Sequence, residues 1–430
     1  MIIENIMNQI WKPIQEKYKI YEDIAEKLSD IELYNLITKK VRMVFYQYPK
    51  SNLNLLSTCG CSHFYNNGSF AGCSMCNYHC NDIEGAASLR VLRHKNVNLY
   101  AKIVKESFLN VRGYINEQMG DELVTGHDIF CDEEFPEQVM QNLFSIDPIY
   151  KVRPFIFSFE ARANNFTYKK MKSIIENVGK GRIVAECGVE TSNEWLRNHW
   201  LNKNIKNEDI DNAMALCKEF SVRFKADVIF GLPGLSEQNS IDVFCDTIKW
   251  LCLKNCDYIT ILPLNRKKYT FQQYIYNALS DNKKLIKHGI SYKQHTGLPW
   301  LYSFVKALVK CFDEIEGVEK KISIGQYSTN LNSVESELAY NEDPDCVCID
   351  SFRQTMILFN ETKDKKLIYN LWEKMRQDTC YSFYQDILEL QQQVSGVASN
   401  IHLVGEEVVK SLFPNNSVLL NQFYKELEQL

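Results

Sequence analysis

Apolar residues recur along the chain with two alternating periods, one typical of helices and one typical of short buried strands. Residues 1–48 carry apolar positions at helical spacing and predict an N-terminal helical extension. Six short apolar runs follow, and they predict strands at Leu53–Ser57, Glu122–Thr125, Phe155–Phe159, Arg182–Val189, Arg223–Phe230 and Tyr258–Pro263. Helix-like stretches lie between them, at Tyr168–Val178, Asn207–Phe220 and Asn239–Leu253. After about residue 276 the pattern becomes irregular and then helical over Lys366–Gln393.

This alternation predicts parallel βαβ units and therefore an α/β fold class. We expect three regions: the N-terminal extension (1–48), a core (49–275) and a C-terminal α+β or helical extension (276–430). In α/β folds the active site lies at the carboxyl ends of the strands. The residues that directly follow the predicted strands are therefore the candidates for function, namely Cys61, Gly126–Asp128, Glu160 with Arg162, Glu190, and Gly231–Gly234.

The formal net charge of the chain is −5. A dedicated duplex nucleic-acid binder is usually basic, so the charge argues against this class, although Arg266, Lys267 and Lys268 form a local basic run that suits RNA or a phosphate. No apolar run approaches the roughly 18 residues of a transmembrane helix. The first twenty residues lack the apolar centre of a signal peptide. We therefore expect a cytoplasmic protein that makes no membrane contact.

Five of the fifteen cysteines lie between positions 59 and 80. Cys73 and Cys76 form a C-x₂-C pair, whose spacing lets two thiolates reach one metal centre from a tight loop. On this segment alone an iron–sulfur cluster, a closed zinc site, a redox pair and chance clustering of buried thiols all stay open. The candidate zinc ligands are Cys59, Cys61, Cys73, Cys76, Cys80, His63 and His79.

The cysteine segment and the motifs after it stand in a fixed order, most of them at predicted strand ends. They are Gly60-Cys-Ser62, Gly72-Cys-Ser-Met-Cys-Asn-Tyr78, Gly126–Pro136, Phe157–Arg162, Glu186–Ser192 with Lys203, and Asp227–Glu237. Their order resembles the radical S-adenosylmethionine (SAM) superfamily, and in detail the branch of the elongator catalytic subunit and the radical SAM subunit of archaeosine synthase. Eleven residues separate Cys61 from Cys73, and long inserts here mark that branch.

The resemblance implies a partial (β/α)₆ barrel and a [4Fe–4S] cluster held by Cys61, Cys73 and Cys76. Cys59 lies two positions before Cys61 and stays open as a substitute ligand, and Cys80 has no counterpart in the branch. The resemblance further implies that SAM binds the remaining iron and is cleaved reductively to a 5′-deoxyadenosyl radical, which takes hydrogen from a substrate. A flavodoxin or ferredoxin is the reducing partner that this chemistry implies. Cys346 and Cys348 are expected to be buried structural thiols.

Resemblance within the superfamily implies the residues that contact SAM, and for Glu160, Glu190, Lys203 and Asp227 the resemblance is to oxygen-independent coproporphyrinogen oxidase. They are Gly126, His127, Asp128, Glu160, Arg162, Glu190, Lys203, Asp227 and Gly231. The residue types agree in part with this role, because carboxylates accept hydrogen bonds from ribose hydroxyls and a lysine ammonium pairs with a carboxylate. No catalytic acid or base is assigned.

The substrate is the part of the function that the sequence leaves most open. Close relatives of the branch modify tRNA, and an archaeosine-synthase-like carbon–nitrogen lyase acting on tRNA is one alternative. The acidic net charge and the unmatched residues 1–48 favour a small-molecule or peptide substrate. A non-catalytic binding protein stabilised by zinc or a cluster is the alternative from a different class. Such a protein has no need for carboxylates at the strand ends.

Overall fold

The main sheet of the protein is mostly parallel. The structure, a computed structural model, describes residues 1–40, 44–47, 51–66, 69–80, 82–112, 121–145, 156–178, 183–325, 336–338 and 348–430. Within these residues eight strands form one sheet in the order β1-β2-β5-β6-β7-β8-β9-β11. Their bounds are β1 Val44–Gln47, β2 Ser51–Leu55, β5 Asp121–Thr125, β6 Phe157–Glu160, β7 Ile183–Glu190, β8 Arg223–Phe230, β9 Tyr258–Pro263 and β11 Ile322–Ile324. Only β1 runs antiparallel among these eight.

The six predicted strands are all present, in β2 and β5–β9, and the α/β class with a (β/α)₆ arrangement is confirmed. Phe155 and Arg182, at the start of two predicted strands, lie outside the described residues. Two strands of the sheet were not predicted. β1 lies inside the supposedly helical residues 1–48, where it forms a hairpin with β2. β11 is only three residues long, too short for its alternation to be recognised. The region boundaries at 48/49 and 275/276 stay predictions.

Two small hairpins complete the strands. β3 Tyr65–Asn66 pairs with β4 Ser69–Phe70, and β10 Asn265–Lys267 pairs with β12 Ser336–Leu338. Both pairs are antiparallel, and both lie in segments that follow strands of the main sheet.

Helices connect the parallel strands and form both terminal regions. Those of the first half of the chain are α1 Ile2–Glu26, α2 Asp30–Lys40, α3 Ile83–Lys95, α4 Val97–Arg112, α5 Glu137–Ser145, α6 Tyr168–Val178 and α7 Asn207–Glu219. Those of the second half are α8 Glu237–Leu253, α9 Phe271–Leu279, α10 Lys283–Lys287, α11 Leu301–Glu314, α12 Cys348–Thr362, α13 Lys365–Met375, α14 Cys380–Gln391, α15 Val397–Leu412 and α16 Ser417–Leu427. The predicted helix Lys366–Gln393 is therefore two helices, α13 and α14. None of the described helices is long and apolar enough to cross a membrane.

Two apolar cores hold these elements together. The larger core joins one face of the sheet, with residues such as Ala185 and Val228, to helices α3–α8 and α11–α14. The second core joins α1, α9, α15 and α16 to the segment that carries the cysteines, where Trp11 packs edge-on against Phe64 with ring centroids 4.6 Å apart. The backbone N–H of Ile2 donates to the Glu426 carboxylate at 3.0 Å. The two ends of the described chain thus meet beside the carboxyl ends of the strands.

Candidate cluster and cofactor site

The cysteine loop (residues 57–80) follows β2 and is tied to the segment after β7. Ser74, which lies between the two cysteines of the C-x₂-C pair, is fully buried. Its N–H donates to the Leu201 carbonyl at 2.8 Å, and its hydroxyl donates to the Trp200 carbonyl at 3.0 Å. The Ser74 carbonyl accepts from the Phe271 N–H, the first residue of α9, at 2.8 Å. These bonds fix the loop over the carboxyl ends of the strands.

Cys73 of this loop interacts electrostatically with two further thiols, and Arg162 interacts with Cys73 and Cys61. Cys61 and Cys76 each interact with Cys73, and the Arg162 Nη1 lies 3.9 Å from the Cys73 Sγ. Burial raises the pKa of the Cys76 thiol to about 11. Burial also raises the pKa of Cys61, while the Arg162 guanidinium opposes that shift. The structure therefore brings together the three cysteines and the arginine that the sequence singled out.

Cys59 points away from this group. It is buried, its Sγ contacts the Glu133 carbonyl at 3.4 Å, and its N–H donates to the Tyr100 hydroxyl at 3.1 Å. Burial raises the pKa of its thiol to about 12, and the charge of Glu134 adds to the shift. Cys80 is within electrostatic range of Cys76. Neither cysteine has the arginine contact that Cys73 makes.

The loop after β5 is organised by Glu134, a buried residue that the sequence analysis did not single out. Its carboxylate contacts His127 Nδ1 at 2.8 Å and accepts the Asp128 N–H at 3.0 Å. A Cβ on Gly126 would lie 2.5 Å from the same carboxylate, so glycine is required here for packing. Asp128 Oδ1 accepts the Arg162 N–H at 3.2 Å, and Oδ2 accepts from the Asn165 amide at 2.5 Å. Asp128 is thus bound by protein groups and supports the backbone at Arg162.

Glu190 and Lys203 form a buried ion pair at the end of β7, with Nζ 2.5 Å from Oε1. Burial lowers the pKa of Lys203, but the Glu190 carboxylate raises it, and the pKa lies above its ordinary value as a result. Glu190 has φ 64°, in the left-handed region, which costs roughly 1–2 kcal/mol for a non-glycine residue. A Cβ on Gly188 would lie 2.3 Å from the Lys203 Nζ. The absent side chain of Gly188 therefore makes room for the pair beside the cysteine loop.

A carboxyl trio, made of Glu160, Glu186 and Asp227, lies on the polar face of the sheet, opposite the helix-packed face. The three side chains bring carboxylate oxygens within 4.8 Å of one another. Lys225 lies 2.8 Å from the Glu186 Oε1. Burial raises the pKa of Asp227 well above its ordinary value, and the neighbouring Glu186 adds to the shift. Side chains along β7 and β8 alternate between the two faces of the sheet, and this alternation is the sequence signal that points to Glu186 and Lys225. The signal can be used only when it is known which face is polar.

The basic run at 266–268 is divided between different environments rather than forming one exposed patch. Arg266 is buried, with its guanidinium 3.5 Å from the centroid of the Tyr276 ring. Lys267 is half-buried and within electrostatic range of Cys76, and its ammonium lies 5.8 Å from the centroid of the Tyr78 ring. This differs from the expected basic patch because neighbouring residues of a strand, here β10, point to opposite sides.

Gly231 and Cys348 also have packing roles. Gly231 has φ 77°, and a Cβ there would lie 2.4 Å from Pro299. Cys348 is buried and its Sγ contacts the Asp378 carboxylate at 2.6 Å. Cys346 lies outside the described residues.

Proteins similar to this chain include radical SAM enzymes. No protein-family model matches the chain. Among solved structures, the radical SAM methyltransferase TsrM from Kitasatospora setae, with cobalamin and a [4Fe–4S] cluster bound, shares 15% identity at a TM-score of 0.34. The match covers 53% of this chain and 39% of TsrM, so the chain spans about two fifths of that protein.

Two archaeal proteins are also similar. Elp3 of Methanocaldococcus infernus shares 12% identity at a TM-score of 0.41, over 66% of this chain and 62% of Elp3. The uncharacterised protein MJ0550 of Methanocaldococcus jannaschii is 20% identical over 320 residues, which are 73% of this chain and 77% of that protein. These similarities are low, so the function of the chain has to be argued from its own residues.

Proposed function

We propose that the protein is a radical SAM enzyme with a [4Fe–4S] cluster on Cys61, Cys73 and Cys76. The observation that carries the proposal is the grouping of these three thiols with Arg162, beside the buried Glu190–Lys203 pair. Three thiolates leave one iron of such a cluster without a protein ligand, and this is the position that SAM would take.

The spacing of the thiols fits a cluster better than a zinc ion. Zinc–sulfur bonds of about 2.3 Å in a tetrahedron put the sulfurs roughly 3.8 Å apart. Among the side chains that the structure describes, which do not include His79, no three cysteine or histidine ligand atoms all lie within 4.8 Å of one another. His63, one of the candidate zinc ligands, contacts the Asn202 carbonyl through its Nε2. A four-iron cluster is larger than a single ion and accepts the wider spacing.

When bound, the cluster and SAM would supply one-electron cleavage of the sulfonium C–S bond, which gives methionine and a 5′-deoxyadenosyl radical. The electron would come from a flavodoxin- or ferredoxin-type reductant. In this proposal the Arg162 guanidinium offsets the charge of the thiolates. The Lys203 ammonium pairs with the SAM carboxylate, while Glu190 and Asp227 accept hydrogen bonds from ribose hydroxyls. Gly188 keeps the approach to Lys203 open.

For the substrate we propose a small molecule or a peptide rather than tRNA. The burial of Arg266 against Tyr276 removes one of the three cations that would have met phosphates. The polar face of the sheet carries Glu160 and Glu186 beside Asp227, and ionised carboxylates repel a polyanion.

Anaerobic reconstitution with iron and sulfide tests the proposed function. The protein is expected to bind about four irons and four sulfides and to show a brown charge-transfer spectrum. Replacing Cys61, Cys73 and Cys76 together by Ala should abolish the spectrum, and Cys348→Ala serves as the control that retains it. Stoichiometric zinc without sulfide, in protein prepared with both metals present, would overturn the proposal in favour of the zinc-stabilised binding protein.

A further inference from the structure

Arg197 is a fully buried cation that lies in a π-helical turn, Leu196–Trp200, between β7 and α7. Its side chain has no part in the proposed binding of SAM. Burial lowers the pKa of its guanidinium to about 10, because a charge is costly to remove from water. An apolar side chain would fill the same space without that cost, so the contacts of the guanidinium have to explain its presence.

The Arg197 guanidinium binds backbone carbonyls on both sides of Glu190. Its Nε donates to the Val189 carbonyl and to the Thr191 carbonyl, each at 3.0 Å, and its Nη2 donates to the Thr191 carbonyl as well. Glu190 lies between these two residues and has φ 64°. A non-glycine residue keeps a left-handed backbone only where its surroundings hold it there. Arg197 provides this hold at the residue before and the residue after Glu190.

The same arginine fixes the segment that carries Lys203. Its Nη1 donates to the Ile205 carbonyl at 3.2 Å, and its backbone carbonyl accepts the Lys203 N–H at 3.0 Å. Its Nη2 also donates to the side-chain oxygen of Asn207 at 2.9 Å. One side chain therefore joins the two backbone segments whose side chains form the Glu190–Lys203 pair.

We propose that Arg197 is a positioning residue for SAM binding, which holds the backbones of Glu190 and Lys203 so that this pair is presented to the cofactor. This inference rests on the proposed function, in which Lys203 pairs with the SAM carboxylate. Arg197 suits the task because a planar guanidinium offers five N–H donors in a fixed arrangement, whereas a lysine ammonium is a point charge on a flexible stem. Its acceptors are carbonyl and amide oxygens, which fix its geometry without neutralising its charge.

The π-helical turn that carries Arg197 also supports the cysteine loop. Ser74 donates to the Trp200 carbonyl through its hydroxyl and to the Leu201 carbonyl through its N–H. A change at Arg197 can therefore reach SAM binding by two routes, through Lys203 or through the cluster. Cluster content has to be measured beside SAM affinity so that the two routes are separated.

Equilibrium dialysis of SAM with four reconstituted proteins tests the positioning role. They are the parent, Arg197→Lys, Lys203→Met and the double variant. Arg197→Lys should weaken SAM binding about tenfold at unchanged iron and sulfide content, because the charged hydrogen bond to the cofactor is misplaced. The double variant should bind SAM at most about threefold more weakly than Lys203→Met, since Arg197 acts largely through Lys203. SAM affinity like the parent's in Arg197→Lys, or losses that multiply in the double variant, would overturn the role.

Thermal unfolding of the apoprotein tests the hold on Glu190 without any cofactor. Arg197→Lys should lower the melting temperature by several degrees, but by less than half as much when residue 190 is changed by Glu190→Gly, because glycine adopts positive φ without support. Glu190→Gln is the matched control. It removes the carboxylate charge and keeps the left-handed side-chain-bearing residue, so the full effect of Arg197→Lys should remain.

Two results of the unfolding measurements contradict the backbone hold. The effect of Arg197→Lys would be undiminished by Glu190→Gly, or it would be diminished equally by Glu190→Gly and Glu190→Gln, which would reduce the interaction to charge. Circular dichroism of each variant separates misfolding from lost binding. Where Arg197→Lys does not fold, Asn207→Ala takes its place, because it removes one acceptor of the guanidinium and leaves the backbone contacts. Asn207→Ala should weaken SAM binding about threefold, and unchanged affinity would overturn the role.

The failure of the proposed function has a different appearance. A parent protein that binds no SAM contradicts the proposed function, whereas the unfolding measurements still decide whether Arg197 holds Glu190. A parent protein that binds SAM but shows no coupling of Arg197 to Lys203 or to Glu190 contradicts the positioning role alone.

Discussion

The cysteine loop and the polar face of the sheet lie next to each other but have opposite electrostatic characters. Around the loop, Arg162, Lys203 and Lys267 are all within electrostatic range of the thiols. On the polar face, the Lys225 ammonium interacts electrostatically with Glu186, Asp227 and Glu160. The cations suit a site that has to hold thiolates and a SAM carboxylate. The crowded carboxyl groups of the polar face instead favour the protonated form of Asp227, because burial and the neighbouring Glu186 raise its pKa.

The largest expected effect is a difference in cluster content between variants of two nearby cysteines of the loop, Cys61 and Cys59. Cys61 interacts with Cys73 and Arg162, whereas the Cys59 thiol faces the Glu133 carbonyl. Cys61→Ala should therefore lose the cluster, measured as iron and sulfide content, and Cys59→Ala should keep it. The reverse result would mean that the loop rearranges so that Cys59 becomes the ligand.

The next largest effect is a loss of SAM affinity when Lys203, the cation beside the cysteine loop, is replaced. Lys203→Met should weaken SAM binding about ten- to hundredfold while the cluster spectrum survives, because one charged hydrogen bond of roughly 1.5–3 kcal/mol is lost. Equilibrium dialysis with labelled SAM measures the change. Lys206→Met, at an exposed lysine three residues later, is the matched control. Unchanged SAM affinity in Lys203→Met would remove the ion pair from the cofactor site.

Asp227 of the carboxyl trio should change how the free energy of unfolding depends on pH. The pKa of Asp227 is raised by folding, so the folded state binds more protons than the unfolded state. Its contribution to the free energy of unfolding is present below the unfolded pKa of about 4 and is lost as the pH rises through the folded value. Thermal melts of the apoprotein should therefore show a smaller decline between pH 5 and pH 8 in Asp227→Asn than in the parent. Parallel declines would contradict a raised pKa of Asp227 in the folded protein.

The smallest effect tests tRNA as a substrate. Lys267 and Lys268 are the cations left after the burial of Arg266, and they would account for at most two phosphate contacts. Filter binding of bulk tRNA at two salt concentrations should show weak binding, with little change of the salt slope in a Lys267→Ala/Lys268→Ala variant. A fall of the slope by about two units would restore tRNA as the substrate.

The central strands were predictable because apolar residues recur in short runs along them, fully buried over most of β8 and at alternate positions in part of β9. β8 and β9 were predicted with the observed bounds, as was helix α6 at Tyr168–Val178. The position of the cysteine loop was also visible, since five cysteines in 22 positions is a strong local anomaly.

Features that depend on tertiary contacts could not be read from the sequence. Glu134 looks like any acidic surface residue, yet it binds His127 and Asp128 from a buried position. Glu186 lies in a buried strand, where its meaning depends on Asp227 of the next strand. Arg266 seemed to belong to an exposed basic run until β10 turned it toward Tyr276.

The most direct test of the central claim is the release of 5′-deoxyadenosine by the reconstituted protein. Holoprotein given SAM and a strong one-electron reductant should form 5′-deoxyadenosine and methionine in equal amounts, slowly even without substrate, as measured by liquid chromatography with mass spectrometry. The variant that lacks Cys61, Cys73 and Cys76 should form none. A protein that carries the full cluster and binds SAM, yet releases no 5′-deoxyadenosine above that variant, would contradict the assignment as a radical SAM enzyme.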